Sequence, residues 1–188
     1  KPRRRATVTS AAPGIRLRFA PRSDKDVQAL RDAAIDLDIG VLPRDSGELR
    51  CQTLFEDRYV GLARLGHPIF DADRITAERF AAWGHVLFSM QADFAGPIDR
   101  ALAELGHVRD VRLIVPAFRR YSSAAASDLI GSIPKSLCKS AAIAYRTFDL
   151  PVDVSGFNIV QAWHPRMDAD PVHRWLRALI FETFHSMN

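Results

Sequence analysis

The sequence predicts an α/β protein, and three observations carry that prediction. Ile15, Leu17 and Phe19 alternate with Arg16 and Arg18, and Ile35, Leu37 and Ile39 alternate with Asp36 and Asp38, the period-two signature of half-buried strands. Between these two segments Val27, Leu30 and Ala34 fall on one face of a helix that Ser23 or Asp24 can cap. A second strand–helix–strand unit follows, with a strand at Val86, Leu87 and Phe88, a helix opened by Gly96 and Pro97, and a strand carrying Val111, Leu113 and Val115.

In chain order, residues 4–10 read as a first strand with Ala6, Val8 and Ser10 on one side, and Ala12-Pro13-Gly14 as a turn. The strand at 15–19 stops at Pro21, and the helix at 27–34 returns the chain to a strand at 37–42. Strand, helix, strand in this order is a right-handed crossover, so 15–19 and 37–42 are expected to lie parallel in one sheet. Pro43 to Gly47 breaks the pattern. Leu54 and Phe55, the charged turn Glu56-Asp57-Arg58 and the apolar run from Tyr59 to Ala63 form the next extended segment, which Gly66-His67-Pro68 stops.

Residues 71–80 form a polar connection in which Thr76, Glu78 and Phe80 suit one helical turn. The strand at 86–88 ends at Ser89. The helix after Pro97 carries the stripe Ile98, Ala101, Leu102 and Leu105 and is closed by Gly106, and Pro116 ends the strand at 111–115. A helix of small residues at 121–129, a strand at 130–133 and a proline-started helix at 134–142 follow. After the break at Phe148-Asp149-Leu150-Pro151 comes a buried strand at 159–163, stopped by His164-Pro165. Asp170 caps the last helix, Pro171 takes its first position, and Val172, Trp175, Leu176, Leu179 and Ile180 make a broad apolar face that must dock on something.

At 188 residues the chain can build one sizeable core or two small lobes, and 47% apolar with 26% charged residues is an ordinary globular composition. The net charge of +4 equals the four cations of Lys1-Pro2-Arg3-Arg4-Arg5, so the remainder is neutral and a solvated tail explains the charge better than a nucleic-acid contact. Cys51 and Cys138 have no Cys-x-x-Cys spacing and read as reduced thiols. No run approaches the roughly 18 apolar residues of a membrane span, and no signal-peptide core follows the arginines, so a cytoplasmic protein with no membrane partner is expected.

The segment "DLDIGVL" followed by "FEDRYVGLAR" and "GHP", spread over residues 35–69, resembles the effector-binding domain of LysR-type transcriptional regulators. The likeness runs from Pro13 to about Leu179. It also rests on His85-Val86-Leu87-Phe88-Ser89, Gly96-Pro97-Ile98-Asp99-Arg100-Ala101-Leu102, Val115-Pro116-Ala117-Phe118, Ser127-Asp128-Leu129-Ile130 before Ile133-Pro134, and Trp163-His164-Pro165 before Asp170-Pro171-Val172-His173-Arg174-Trp175-Leu176. The resemblance implies two Rossmann-like lobes joined by two crossover segments, a type 2 periplasmic-binding-protein-like fold. Lobe I would comprise residues 1–72 plus 156–188 and lobe II residues 76–150. Two departures stand out: the family helix between the first strand and the strand at 15–19 has no counterpart, and the N-terminal winged helix-turn-helix is missing from this chain.

The resemblance implies a small-molecule effector, an aromatic or other organic acid, between the lobes, held where strand ends and helix starts present hydroxyls and backbone N–H groups. Thr9 and Ser10, Ser23, Ser89 and Met90, and Pro116, Ala117 and Phe118 occupy such places, with Ser10, Ser23 and Ser89 suited to a carboxylate and Phe118 to an apolar or aromatic body. Each serine is equally a plain cap or turn residue. No Gly-x-Ser-x-Gly elbow, phosphate-binding loop or His-Glu-x-x-His pair is present, so no enzyme, catalytic residue or cofactor is expected. His164, Asp168, Asp170 and His173 have metal-ligand types without a zinc spacing, and read as a loop before a helix; His67 reads as a turn residue. The resemblance further implies a homodimer or homotetramer, with the helix at 27–34 and the segment 111–118 as partner surfaces, and DNA contact only through the missing domain. A free-standing solute-binding protein of the same fold is the alternative.

Overall fold

The computed structural model describes residues 11–20, 26–42, 47–88, 96–115, 127–140 and 145–186. Its elements are α1 (Asp26–Arg31), β1 (Asp38–Gly40), β2 (Arg50–Asp57), β3 (Tyr59–Arg64), α2 (Ala77–Ala81), β4 (Gly84–Phe88), α3 (Pro97–Glu104), β5 (Asp110–Val115), β6 (Ile130–Pro134), β7 (Tyr145–Phe148), β8 (Phe157–Trp163) and α4 (Pro171–His185). Three 3₁₀ turns, Pro68–Asp71, Lys135–Ser140 and Pro165–Met167, join them. The chain divides into two compact units, residues 1–55 with 158–188 and residues 56–157.

The first unit holds a three-stranded sheet in the order β1-β8-β2, with β1 antiparallel to β8 and Asp38 opposite Ala162. One face carries the core of Leu30, Leu49 and Ala162, which Val27, Ile35 and Leu42 complete; Val27 and Leu30 of the expected stripe thus pack inward, but α1 ends at Arg31 rather than at 34, and Ala34, beyond its end, is exposed. On β8 the side chain of Gln161 is fully buried and donates to Gln52 Oε1 at 2.7 Å and to the Arg177 carbonyl of α4 at 3.1 Å. Phe184 of α4 stacks on Phe55 of β2, and the Arg177 guanidinium lies 4.2 Å over the Trp163 ring. Asp170 caps α4 by accepting from His173 N–H at 2.7 Å, with Pro171 next, as expected.

Two expectations for this unit are corrected. Residues 15–19 enter no ladder among the described residues, and Leu17 is 43% and Phe19 88% exposed. The parallel pairing with 37–42 is therefore not formed, and β1 pairs with β8 instead. Alternation marks a segment that suits a pleated surface and does not by itself name a partner strand. The expected strand at 4–10 and the helix at 121–129, apart from its last three residues, lie outside the described residues; Ser127 and Asp128 form a turn.

The second unit is a five-stranded sheet in the order β5-β4-β6-β3-β7. β4 is parallel to both β5 and β6, while β3 runs antiparallel to β6 and β7. Strand alternation divides its side chains between two cores. Val60, Leu62, Val86, Val115 and Ile133 pack beneath Leu137, Cys138 and Tyr145, and Ala63 and Ile130 pack with Ile69, Phe80, Ile98 and Leu102 of the turns and helices on the other side. Thr76 caps α2 through Arg79 N–H, and Gly106, at φ 76°, ends α3 in the left-handed region that glycine favours. Lys135–Ser140 is a 3₁₀ turn where an α-helix was expected, and β7 lies where the sequence shows no strand signal.

His67-Pro68 and His164-Pro165 turn out to be one device used twice. In each the histidine Nδ1 accepts the N–H two residues on (Ile69 at 3.0 Å, Arg166 at 3.2 Å) and the proline opens a 3₁₀ turn. Such stops cap backbone that would otherwise be left unpaired.

Candidate functional site

The geometry of greatest functional interest is the carboxyl edge of the parallel strands in the second unit. Phe88 and Val115, the last residues of β4 and β5, are register partners, and Leu87 is the partner of Ser132 on β6. The described ends of β4 and β5 thus lie side by side at one edge; Ser89, Met90, Pro116, Ala117 and Phe118, the sequence candidates that follow them in the chain, lie outside the described residues. Thr9, Ser10 and Ser23 also lie outside them. Because α3 carries the chain from the end of β4 back to the start of β5, its N-terminus sits at that same edge, where the Asp99 carboxylate already accepts the Gly96 N–H and answers the helix dipole.

The N-terminus of α3 is held from behind by a buried ion pair. Arg109, its side chain 1% exposed, donates from Nε and Nη2 to the two carboxylate oxygens of Asp99 at 2.6 and 2.8 Å, and Asp99 also accepts from Gly96 N–H at 2.6 Å. Burial alone would raise the Asp99 pKa, but the Arg109 hydrogen bonds and charge and the Gly96 N–H outweigh it and hold the carboxyl below its usual value. Beneath it His85 is fully buried, donates from Nε2 to the Phe80 carbonyl at 2.9 Å and meets the Phe80 ring edge-on. Burial, with the Arg109 charge, pushes its pKa down to about 4 against the opposing effects of the Phe80 carbonyl, Asp99 and Asp110. The ring is therefore neutral, a packed support rather than a base.

Ser132 is a residue that pattern reading missed. It is 5% exposed, and its Oγ has no hydrogen-bond partner among the described residues. It stands between Gly61 and Leu87 in the sheet. The signal was a lone hydroxyl inside the apolar run Ile130-Gly131-Ser132-Ile133. At the same edge Asp57 accepts from Ser136 Oγ at 2.6 Å and from Arg58 N–H at 2.8 Å, tying the start of β3 to the turn after β6. Tyr59 is raised above its usual pKa by burial and then by Asp57, so its hydroxyl stays protonated.

Among the described residues no group of three or more His, Cys, Asp or Glu side chains could hold a metal, and no helix is long and apolar enough to cross a membrane. His164, Asp168, Asp170 and His173 serve other purposes: His164 and Asp170 cap, Asp168 accepts from Trp163 Nε1 at 2.6 Å, and His173 donates to the Asp36 carbonyl at 2.9 Å.

A family model described as the LysR substrate binding domain matches residues 2–185. The HTH-type transcriptional activator NahR of Pseudomonas putida is 30% identical over 161 residues, and LinR of Sphingobium indicum, an HTH-type transcriptional regulator, is 29% identical over 162. Each alignment covers 84% of this chain and 53% of the relative, so the chain spans about half the length of these relatives. The regulatory domain of MexT, a transcriptional activator in Pseudomonas aeruginosa, superposes with a TM-score of 0.77 at 26% identity, covering 94% of this chain and 86% of that one. The effector binding domain of QuiR in complex with shikimate shares the fold at a TM-score of 0.70 and 16% identity, covering 89% and 80% of the two chains.

Proposed function

The chain belongs to the LysR substrate-binding-domain family, with its type 2 periplasmic-binding-protein-like fold, and on that premise we propose that it senses a small organic acid and passes the signal to a DNA-binding segment elsewhere in the full regulator. The observation that carries this reading is the pairing of Phe88 with Val115, which brings the chain leading into Ser89 and Met90 beside that leading into Pro116, Ala117 and Phe118. Ligands of open α/β sheets bind outside the carboxyl ends of parallel strands. In this reading Ser89 receives a carboxylate and Phe118 packs on the body of the acid, with Thr9, Ser10, Ser23, Met90, Pro116 and Ala117 as the other candidate contacts. The buried hydroxyl of Ser132 is a further candidate contact.

The domain performs no catalysis in this proposal, in keeping with relatives named as transcriptional regulators, and it works in the cytoplasm. The same names favour it over a free-standing solute-binding protein. A homodimer or homotetramer carries the signal, because a ligand shifts an equilibrium only through different affinity for two states. The exposed Leu105, Val108 and Leu113 at the α3–β5 edge and Leu17 and Phe19 in the first unit support such an interface.

A thermal-shift screen against aromatic and aliphatic acids, shikimate included, tests the site. A ligand at 100 times its dissociation constant adds about 2.7 kcal/mol of stability. Ser89→Ala and Ser132→Ala should each weaken a hit, and a hit of undiminished affinity in both variants refutes the placement.

A further inference from the structure

The two units differ in how much apolar surface they hide and in how the chain is laid through them. The second is one continuous stretch, residues 56–157, and its sheet carries the two cores described above. The first is built from both ends of the chain, and its core among the described residues is Leu30, Leu49 and Ala162. No apolar side chain of α4 is fully buried: Trp175, Leu176, Leu179, Ile180, Phe181 and Phe184 are each half-buried. Leu17, Phe19, Ile39 and Val41 of the same unit are exposed, and the Oε1 of the fully buried Gln161 has no partner among the described residues. Sparse burial and an unsatisfied buried oxygen both lower the stability of a unit.

Chain order adds a dependence. The sheet of the first unit joins β2 to β8, so it closes only when residues 55 and 158 are brought together. With the second unit unfolded, that closure constrains a loop of about 100 residues and costs about a thousandfold in the equilibrium constant. The folded second unit removes this cost, because the two ends of its stretch already meet: the Tyr59 and Phe157 rings lie 4.9 Å apart, and Gly156 packs against the Asp57 carbonyl oxygen. We propose that the domain opens in a fixed order: the first unit opens alone while the second stays folded, and the first does not survive the opening of the second. The first unit is thereby a two-state element, which any ligand that contacts its folded form would bias toward closure. This inference goes beyond the effector reading, and its test needs no ligand.

Hydrogen exchange of the full chain tests the order, read by mass spectrometry on peptides from β8 in the first unit and from β3 and β4 in the second, where closing outruns exchange. In the parent, β8 should be protected less than β3 and β4 by about tenfold or more. Two small truncations then separate the models: Leu30→Val in the first core and Ile130→Val in the second, both at fully buried positions and each expected to change exchange by about 2- to 10-fold. If the first unit opens first, every opening of the second includes that of the first, so Leu30→Val speeds exchange of all three peptides by one factor. Ile130→Val weakens only the later step, speeding β3 and β4 and leaving β8 unchanged. Equal protection of the three peptides in the parent overturns the proposal. So does Leu30→Val acting on β8 alone, the mark of independent units, or Ile130→Val acting on β8 as well, the mark of one cooperative fold. Should Leu30→Val open the first unit outright, full exchange of β8 with β3 and β4 still protected supports the order, and loss of protection throughout overturns it. Failure to find an effector would leave these rates untouched, so the two readings fall separately.

Discussion

Acidifying the protein from pH 7 to pH 5 should cost it about 2 kcal/mol through His85 alone. The ring is fully buried under α3, and burial pulls its pKa from the usual 6.5 to about 4. That gap corresponds to about 3 kcal/mol of discrimination against the protonated ring in the folded state. Above pH 6.5 both folded and unfolded states hold a neutral ring, and His85 has no effect on the pH dependence. As pH falls below 6.5 the unfolded chain takes up a proton that the folded chain refuses, so stability drops until the folded pKa near 4 is reached. At pH 5 most of that penalty is in force, about 2 kcal/mol relative to pH 7. The assay is urea denaturation at both pH values of the parent and of His85→Gln, whose amide can still donate to the Phe80 carbonyl. The other histidines and the carboxylates titrate alike in both proteins and cancel in the difference. A parent and variant that lose the same stability between pH 7 and pH 5 would refute the reasoning, as would an NMR titration placing the His85 ring near 6.5.

Two further outcomes are expected. Asp99→Ala should cost about 3 to 5 kcal/mol in urea denaturation at pH 7 by stranding the buried Arg109 charge. Because the Asp99 pKa is depressed in the folded state, the parent's advantage over this variant should persist above the unfolded value of about 3.9 and vanish as pH falls through the folded value. Gly61→Ala would drive a Cβ into the Phe148 ring across the β3–β7 ladder, at a cost of about 1 to 3 kcal/mol. Phe148→Leu should recover part of that loss in the double variant, and additive costs in denaturation would show that the two sites do not collide.

Legibility in the sequence followed the range of the interactions involved. The cap at Asp170, the proline starts of α3 and α4 and the stop at Gly106 were readable because each concerns a few consecutive residues. Residues 15–19 failed for the opposite reason: their alternation is as regular as that of 35–39, yet a ladder needs a partner that the local pattern does not name. β7 was invisible because Tyr145-Arg146-Thr147-Phe148 has only weak alternation and owes its strand to the open edge of β3. Of the candidate site, the strand ends before Ser89 and Pro116 were foreseen, while Ser132 and the Asp99–Arg109 pair behind α3 were not. Both depend on contacts between segments far apart in sequence.

The residues alone determined the α/β class, the bounds of α3 and the start of α4, and the resemblance to LysR-type effector domains, because these follow from local periodicity and from short motifs in a recognisable order. Tertiary structure alone decided which strands pair. It put β8 beside β1, placed β3 antiparallel between β6 and β7, and set β4 and β5 in parallel register so that their carboxyl ends share an edge. The physical reason is that strand propensity states how well a segment suits a pleated surface, whereas its neighbour is chosen by the burial and backbone hydrogen bonds that distant parts of the chain supply.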